Sequence, residues 1–220
     1  MNKASSRAKI RVFLADDHPI VRRGFQLLLG MEPDLMVCGD ADSSPEALQK
    51  ILALKPDVAV IDLSLRSSSG LELIKQIRAH SAELKILVFT MHAEAIYEER
   101  ALRAGANGYV TKEMGTEKAI EAIRLLAQNK LFFSDSLTQT VIARMSGRAP
   151  TSRTSVELLS DRELEILEAI GNGLGSRQIA EKLGLSSKTV QSHREHIKTK
   201  LGLTRASELV NYAYNWLRGH

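Results

Sequence analysis

Five residues between positions 16 and 112 hold groups that could carry phosphoryl chemistry together. They are the pair Asp16-Asp17, the carboxylate Asp62, the hydroxyl Thr90 and the ammonium Lys112. Three carboxylates within a few ångströms raise one another's pKa unless a cation sits among them. An all-oxygen set of carboxylates, a carbonyl and waters suits Mg²⁺. Lys112 could pair with Asp62 and with an incoming phosphoryl group, and Thr90 could hydrogen-bond a phosphoryl oxygen. In-line phosphoryl transfer is governed by placement and charge neutralisation, which a metal, a lysine and a fixed acceptor oxygen supply. Asp62 would be the nucleophile and would form an aspartyl phosphate.

Each residue alone has a plainer reading. Asp-Asp is a common loop pair and helix cap, Thr is a good strand residue, and Lys is usually a solvated charge. What decides is where they fall in the pattern. Val58-Ala59-Val60-Ile61 is a short β-branched run bounded by Pro56 and Asp57. Such a run reads as a strand buried on both faces, as in parallel sheets, and Asp62 stands at its C-terminal end. Further strands are predicted at Ile10–Ala15, Leu35–Gly39, Leu84–Thr90 and Ala106–Thr111. Helical spacing falls between and after them, at His18–Leu29, Ser43 or Ser44 to Leu54, Gly70–Ala79, Ala93–Ala104 and Gly115–Gln128. Gly105 is a plausible C-terminal helix cap. Five alternating strand–helix units predict an α/β, flavodoxin-like domain with a five-stranded parallel sheet. Strand one then ends in Asp16-Asp17, strand three in Asp62, strand four in Thr90 and strand five in Thr111-Lys112. The C-terminal ends of parallel strands share one edge, so these groups can converge.

Composition sets the bounds. The chain has 220 residues, 44% hydrophobic and 25% charged, an ordinary globular balance with room for two small domains. The net charge of +4 is compatible with nucleic acid without pointing to it. One cysteine, Cys38, allows no intramolecular disulfide and suits a cytoplasmic protein; its apolar surroundings suggest a small core residue. No apolar run approaches the roughly 20 residues of a membrane span. Met1–Lys9 is polar, lacks a signal-peptide core and reads as a disordered lead-in.

From Leu131 the pattern changes. Leu137–Met145 could form one more helix, and Ser146–Ser155 lacks apolar periodicity and reads as a flexible linker. A small all-α domain of four helices follows. Ser160-Asp161-Arg162-Glu163 is a capping-box sequence before Leu164, Ile166, Leu167 and Ile170. Ser176 opens a short helix, Gly184-Leu185-Ser186 is a tight turn, and Ser186 caps a helix to about Leu201. Gly202 ends that helix and Thr204 starts a last one to Leu217. Two short helices joined by a tight Gly-containing turn are a helix-turn-helix signature. By helical phase Val190, Ile197 and Leu201 pack inward, while Lys188, Gln191, Ser192, Glu195 and Thr199 face outward where they could meet base edges. Lys188, Arg194, Lys198, Lys200 and Arg205 could meet phosphates. The plain alternative is a solvated helix in a small bundle.

Both halves carry family resemblances. Asp16-Asp17-His18-Pro19, Asp62 in Ile-Asp-Leu, Thr90 in Phe-Thr-Met-His and Lys112 in Tyr-Val-Thr-Lys-Glu resemble the receiver domain of two-component response regulators, over about Lys9–Lys130. The resemblance implies Mg²⁺ held by Asp17, Asp62 and the carbonyl of Ser64, with Asp16 helping directly or through water. It implies a histidine kinase as phosphoryl donor. Tyr109 falls where such domains carry the aromatic that turns inward when the switch hydroxyl, here Thr90, moves. Many receivers have a proline after the lysine; here it is Glu113. Leu159-Ser160-x-Arg162-Glu163, Gly-Leu-Gly-Ser-Arg-Gln-Ile-Ala-Glu-Lys-Leu, Ser-x-x-Thr189-Val190-x-x-His193 and Lys200-Leu201-Gly202 resemble the LuxR-type helix-turn-helix, over about Glu157–Leu217. Lys188–Leu201 would be the recognition helix, with dimerisation partly through the last helix. Thr189 and His193 are either structural or touch phosphate.

Joined, the two halves resemble NarL/FixJ-family response regulators. The expected arrangement is a receiver at 9–130, a helical and flexible linker at 131–156 and a DNA-binding domain at 157–220. The expected function is transcription regulation switched by Mg²⁺-dependent phosphorylation of Asp62, not enzymatic turnover, in a protein that homodimerises and meets no membrane. Two rivals remain at this point. The receiver could be a dimerisation module that is never phosphorylated. An Asp-nucleophile phosphatase would use similar groups, but usually places the nucleophile after the first strand with a second Asp two residues on, where this chain has Ser64.

Overall fold

The structure is a computed structural model that describes residues 9–65, 69–93, 95–146 and 155–218. The predicted lead-in before Lys9 and, within the predicted 131–156 linker, most of its flexible stretch Ser146–Ser155, residues 147–154, lie outside the described residues. The chain divides into two compact units between Ala149 and Pro150.

In the first unit strands and helices alternate in the predicted order. The strands are β1 (Ile10–Ala15), β2 (Leu35–Ala41), β3 (Val58–Ile61), β4 (Lys85–Thr90) and β5 (Gly108–Thr111). The helices are α1 (Pro19–Met31), α2 (Ser44–Leu54), α3 (Gly70–His80), α4 (Ala95–Ala104), α5 (Thr116–Ala127) and α6 (Asp135–Met145). All strand pairs are parallel, in the order β2-β1-β3-β4-β5. That order reverses between β1 and β3, the strands that end at Asp16 and Asp62. In such sheets the crevice at the reversal is the expected ligand site.

β3 sits inside the sheet, and Val58, Ala59, Val60 and Ile61 are at most 3% exposed. Alternation sends Val58 and Val60 to one face, where they join Val12, Leu14, Leu87 and Phe89 against Phe25 and Leu29 of α1 and Ile120, Ile123 and Leu126 of α5. The other face meets α2, α3 and α4, whose Ala47, Ile51, Ile74, Ile77, Tyr97 and Ala101 are buried. β2 runs two residues beyond its expected end, because Asp40 and Ala41 stay in register with Leu14 and Ala15. Cys38 is not a core residue as expected. It lies on this outer strand and is half-buried, enough for desolvation to push its thiol pKa up.

Residues beyond α5 also pack on this unit. Phe132 forms a parallel bridge with Gly108: Tyr109 N–H donates to the Phe132 carbonyl at 2.7 Å and Phe132 N–H to the Asn107 carbonyl at 3.0 Å. A Cβ at Gly108 would stand 3.1 Å from both the Phe132 carbonyl and its Cβ, tighter than an ordinary contact, so glycine eases the close approach. Ser134 then caps α6, accepting from Leu137 N–H. Ser134 itself donates through N–H and Oγ to the two oxygens of Glu98 on α4, at 2.6 and 2.7 Å. Glu98 is only 8% exposed.

The second unit is helical: α7 (Asp161–Gly171), α8 (Ser176–Leu183), α9 (Ser187–Leu201) and α10 (Ala206–Leu217). The predicted capping box is present. Glu163 N–H donates to Ser160 Oγ, and Ser160 N–H donates to Glu163 Oε2 at 2.7 Å. Gly184 (φ 64°) and Gly202 (φ 68°) end α8 and α9 in the left-handed region. Ser186 caps α9 by accepting from Thr189 N–H. Leu164, Leu167, Ile170, Ile179, Val190, Ile197, Leu209 and Ala213 form the buried interior. A Cβ at Gly171 would lie 2.6 Å from the Ala213 carbonyl, so α7 and α10 also meet through a glycine. Among the described residues no helix is long and apolar enough to cross a membrane.

Candidate functional site

Parallel register brings the strand-end carboxylates of the first unit together. Asp62 N–H donates to the Ala15 carbonyl at 2.8 Å, which locks the end of β3 to the end of β1. Asp16, Asp17, His18 and Asp62 each offer one donor atom, all within 4.8 Å of one another. Lys112, just past β5, reaches across β4 and β3. Its Nζ stands 2.7 Å from Asp16 Oδ2 and 2.6 Å from Asp62 Oδ2. The remaining carboxylate oxygens are also held: Asp62 Oδ1 accepts from Ser64 N–H at 3.2 Å and Asp16 Oδ1 from His18 N–H at 2.7 Å. His18 Nδ1 lies 2.8 Å from Asp17 Oδ1.

Asp62 is 2% exposed and Asp16 7%. Burying an unpaired carboxylate is costly, so the Lys112 ammonium is the internal counter-ion that makes this burial tolerable. Burial by itself would lower the Lys112 pKa. Asp62 and Asp16 outweigh burial and hold it above its ordinary value. A backbone constraint fixes the Asp62 loop as well. Gly70, the first residue of α3, donates to the Leu63 carbonyl at 2.9 Å. A Cβ there would lie 2.3 Å from the Asp62 carbonyl, so no side chain fits.

Thr90 is fully buried at the end of β4, paired in register with Thr111. Its Oγ1 makes a long 3.5 Å contact with His92 N–H. Tyr109 is 6% exposed, and its hydroxyl donates to the His92 carbonyl at 2.8 Å. The aromatic is therefore already turned in. Sequence reasoning missed two residues beside the site, His92 and Tyr97, and the side-chain contact of Ser64. Ser64 Oγ lies 3.1 Å from His92 Nε2, and the His92 ring stacks on Tyr97 at 4.2 Å. His92 follows Thr90 by two residues, but nothing local in the sequence says that its ring folds back towards Ser64.

The second unit presents a different surface. Along α9 Lys188, Gln191, Ser192, Glu195 and Thr199 are exposed, as the helical phase required, and Thr189 is exposed beside them. The remaining groups are more committed. Lys198 pairs with Glu195 at 2.8 Å with only 15% of its side chain exposed. Arg194 is half-buried; desolvation lowers its pKa. His193 is half-buried too, and Leu201 packs inward only in part. One expectation fails: Lys200 does not stand free for a phosphate. Its Nζ lies 2.6 Å from Glu163 Oε2, because the buried capping-box carboxylate needs a cation.

Comparison with known proteins places both units. Residues 12–124 match the response regulator receiver domain family, and residues 157–213 match the bacterial regulatory proteins of the luxR family. The chain is 39% identical over 210 residues to the oxygen regulatory protein NreC of Staphylococcus epidermidis, covering 93% of this chain and 96% of that one. Among solved structures it resembles the RcsB response regulator of Salmonella typhimurium, with a TM-score of 0.68 and 27% identity over 95% of this chain and 98% of that one. RcsB from Salmonella enterica serovar Typhimurium bound to promoter rprA in the presence of the phosphomimetic BeF3⁻ is likewise similar, with a TM-score of 0.62 and 27% identity over 94% and 98% of the two chains. With a receiver fold in one unit and a helix-turn-helix in the other, the chain belongs to the NarL/FixJ family of DNA-binding two-component response regulators.

Proposed function

We propose that Asp62 is the phosphoacceptor of this regulator and that a sensor histidine kinase is its donor. The observation that carries this reading is the contact of Lys112 with both Asp16 and Asp62 at the C-terminal edge of the sheet. In transfer, an Asp62 carboxylate oxygen attacks phosphorus as the nitrogen–phosphorus bond of the donor's phosphohistidine breaks, and the imidazole keeps the electron pair. Lys112 pairs with the phosphoryl oxygens that now stand on Asp62. Thr90 turns its hydroxyl towards the same group, and Tyr109 holds the inward position it already has.

The donor set suits a hard divalent cation: the carboxylates of Asp16, Asp17 and Asp62 lie within reach of one another, and the Ser64 carbonyl would supply a further oxygen. Mg²⁺ held there would supply neutralisation of phosphoryl charge in flight. The phosphoryl group changes the balance of contacts at the ends of β4 and β5, and the DNA-binding unit is the output.

On the output side α9 is the recognition helix. Lys188, Gln191, Ser192 and Glu195 form its exposed face towards the major groove, Thr189 lies at its start, and Arg194, Lys198 and His193 steady or flank the phosphate contacts. A homodimer would place two such helices on half-sites about one helical turn, or a multiple of it, apart. Ile20, Leu27 and Met31 support self-association, being exposed at helical spacing along α1. The reading places the protein in the cytoplasm.

The test is intact-protein mass after incubation with acetyl phosphate and Mg²⁺. A single phosphoryl adduct is expected that needs Mg²⁺ and is lost in Asp62→Asn. An adduct that persists in Asp62→Asn would sink the assignment.

A further inference from the structure

A second cluster of metal-binding side chains lies in the DNA-binding unit, far in sequence from the acidic site. Glu163, His193 and His196 each offer a donor atom, and the three atoms lie within 4.8 Å of one another. The two histidines are three residues apart on α9, the spacing that sets side chains on one helical face. Glu163 comes from the first turn of α7, which packs against α9.

The state of each donor favours a ligand. The carboxylate of Glu163 is nearly buried, and both of its hydrogen bonds, from Ser160 N–H and Lys200 Nζ, fall on Oε2. Oε1 takes none among the described residues. His193 Nδ1 is buried and has no hydrogen-bond partner among them. Buried polar atoms are paired in the great majority of cases, so an orphan nitrogen on a histidine of this cluster asks for a partner. Burial also lowers the His193 pKa, which keeps its ring in the neutral form that binds metals. His196 is exposed and leaves the cluster open to solvent on one side.

We propose that Glu163, His193 and His196 form a binding site for a divalent transition metal, with Zn²⁺ the best match. Two imidazoles and one carboxylate suit Zn²⁺ with a water in the fourth position. They do not suit Mg²⁺, which prefers an all-oxygen shell. Lys200 on Oε2 and Arg162 near His193 oppose a further positive charge, so the site binds more weakly than a closed structural zinc site. The ion ties the start of α7 to the middle of α9 and so stiffens the recognition helix from behind. This goes beyond the phosphorylation reading and does not depend on it.

The test uses the full chain, stripped with a chelator and kept in excess Mg²⁺ so that the receiver carboxylates do not take the probe. Zn²⁺ is titrated by calorimetry, and Co²⁺ by its visible absorption. The wild type is expected to bind one Zn²⁺, with Co²⁺ bands of four-coordinate strength. His196→Ala, an exposed position safe for folding, should weaken binding by roughly tenfold or more, while Asp17→Asn should leave it unchanged. Zn²⁺ should raise the thermal midpoint reported by Trp216 fluorescence in the wild type but not in His196→Ala. Absence of Zn²⁺ binding, or binding that His196→Ala does not weaken, would overturn the proposal.

Discussion

In the receiver unit, charges from the ends of three strands meet in one buried cluster, with Lys112 between Asp16 and Asp62. In the DNA-binding unit, charges lie along a single helix and divide between two duties. Lys188 and Glu195 are exposed, whereas Lys200 is drawn to Glu163 and Lys198 to Glu195. The first arrangement makes a site by convergence, and removal of one member disturbs all the others. The second makes a surface whose members act almost independently. Chemistry needs the first, because several groups must act on one atom. Recognition of a long polyanion is served by the second.

The largest expected effect follows from convergence. Lys112→Met should slow formation of the phosphoryl adduct by roughly 10²–10³-fold, since it removes a fixed donor from the reacting group. DNA binding by the unphosphorylated protein should not change. An equal loss in both assays would show that the two units are not separable in this way. Next come two glycines. Gly70→Ala must push a Cβ into the Asp62 carbonyl, and Gly171→Ala into the Ala213 carbonyl. Each should cost about 1–3 kcal/mol in denaturant unfolding. The first should also slow phosphorylation, and the second should spare it.

Lys200 and Lys188 sharpen the contrast within α9. Lys200→Met leaves Glu163 short of its partner and should cost about 1–2 kcal/mol of stability in the DNA-binding unit, with little change in the salt dependence of binding. Lys188→Ala should leave stability within about 0.5 kcal/mol. It should make the slope of log K against log salt shallower by about 0.9. If Lys200 changed the slope and Lys188 changed stability, the division of duties would be reversed.

The units should also part company with pH. The Lys112 pKa is raised from 10.5, so its contribution is complete below that value and is lost as pH rises through the higher folded value. The Glu163 pKa is lowered from 4.5: burial opposes this, but Lys200 and Ser160 prevail. Its contribution is present above 4.5 and is lost as pH falls through the lower folded value. Trp216, the single tryptophan, reports the second unit. Glu163→Gln should flatten the acid limb of its unfolding curve, and Lys112→Met should leave that limb untouched. Among the smallest effects, Glu98→Ala should increase hydrogen exchange at Ser134 and Leu137, because Ser134 loses both of its acceptors.

The parts of this molecule that were legible in the sequence rest on local rules. Short apolar runs mark the strands, and their parallel order puts Asp16, Asp62 and Lys112 on one edge. The capping box at Ser160 and Glu163 and the glycine ends at Gly184 and Gly202 are likewise local. The features that were not legible join residues far apart. Glu98 meets Ser134 across 36 positions and Lys200 meets Glu163 across 37, and neither pair has a spacing rule. Helical phase tells which residues share a face of α9. It does not tell that α7 offers a buried carboxylate that holds Lys200.

The pairing of Phe132 with β5 has a consequence for how the chain keeps to itself. β5 is the last strand of the sheet, and an outer strand offers unpaired backbone groups to any other chain that comes near. Phe132 takes up Tyr109 N–H and donates to the Asn107 carbonyl, which blunts that rim. The stretch that leads out of the receiver is therefore also its guard against edge-to-edge aggregation. A fragment cut before Leu131 would keep every residue of the acidic site and lose the cover that helps hold it in solution.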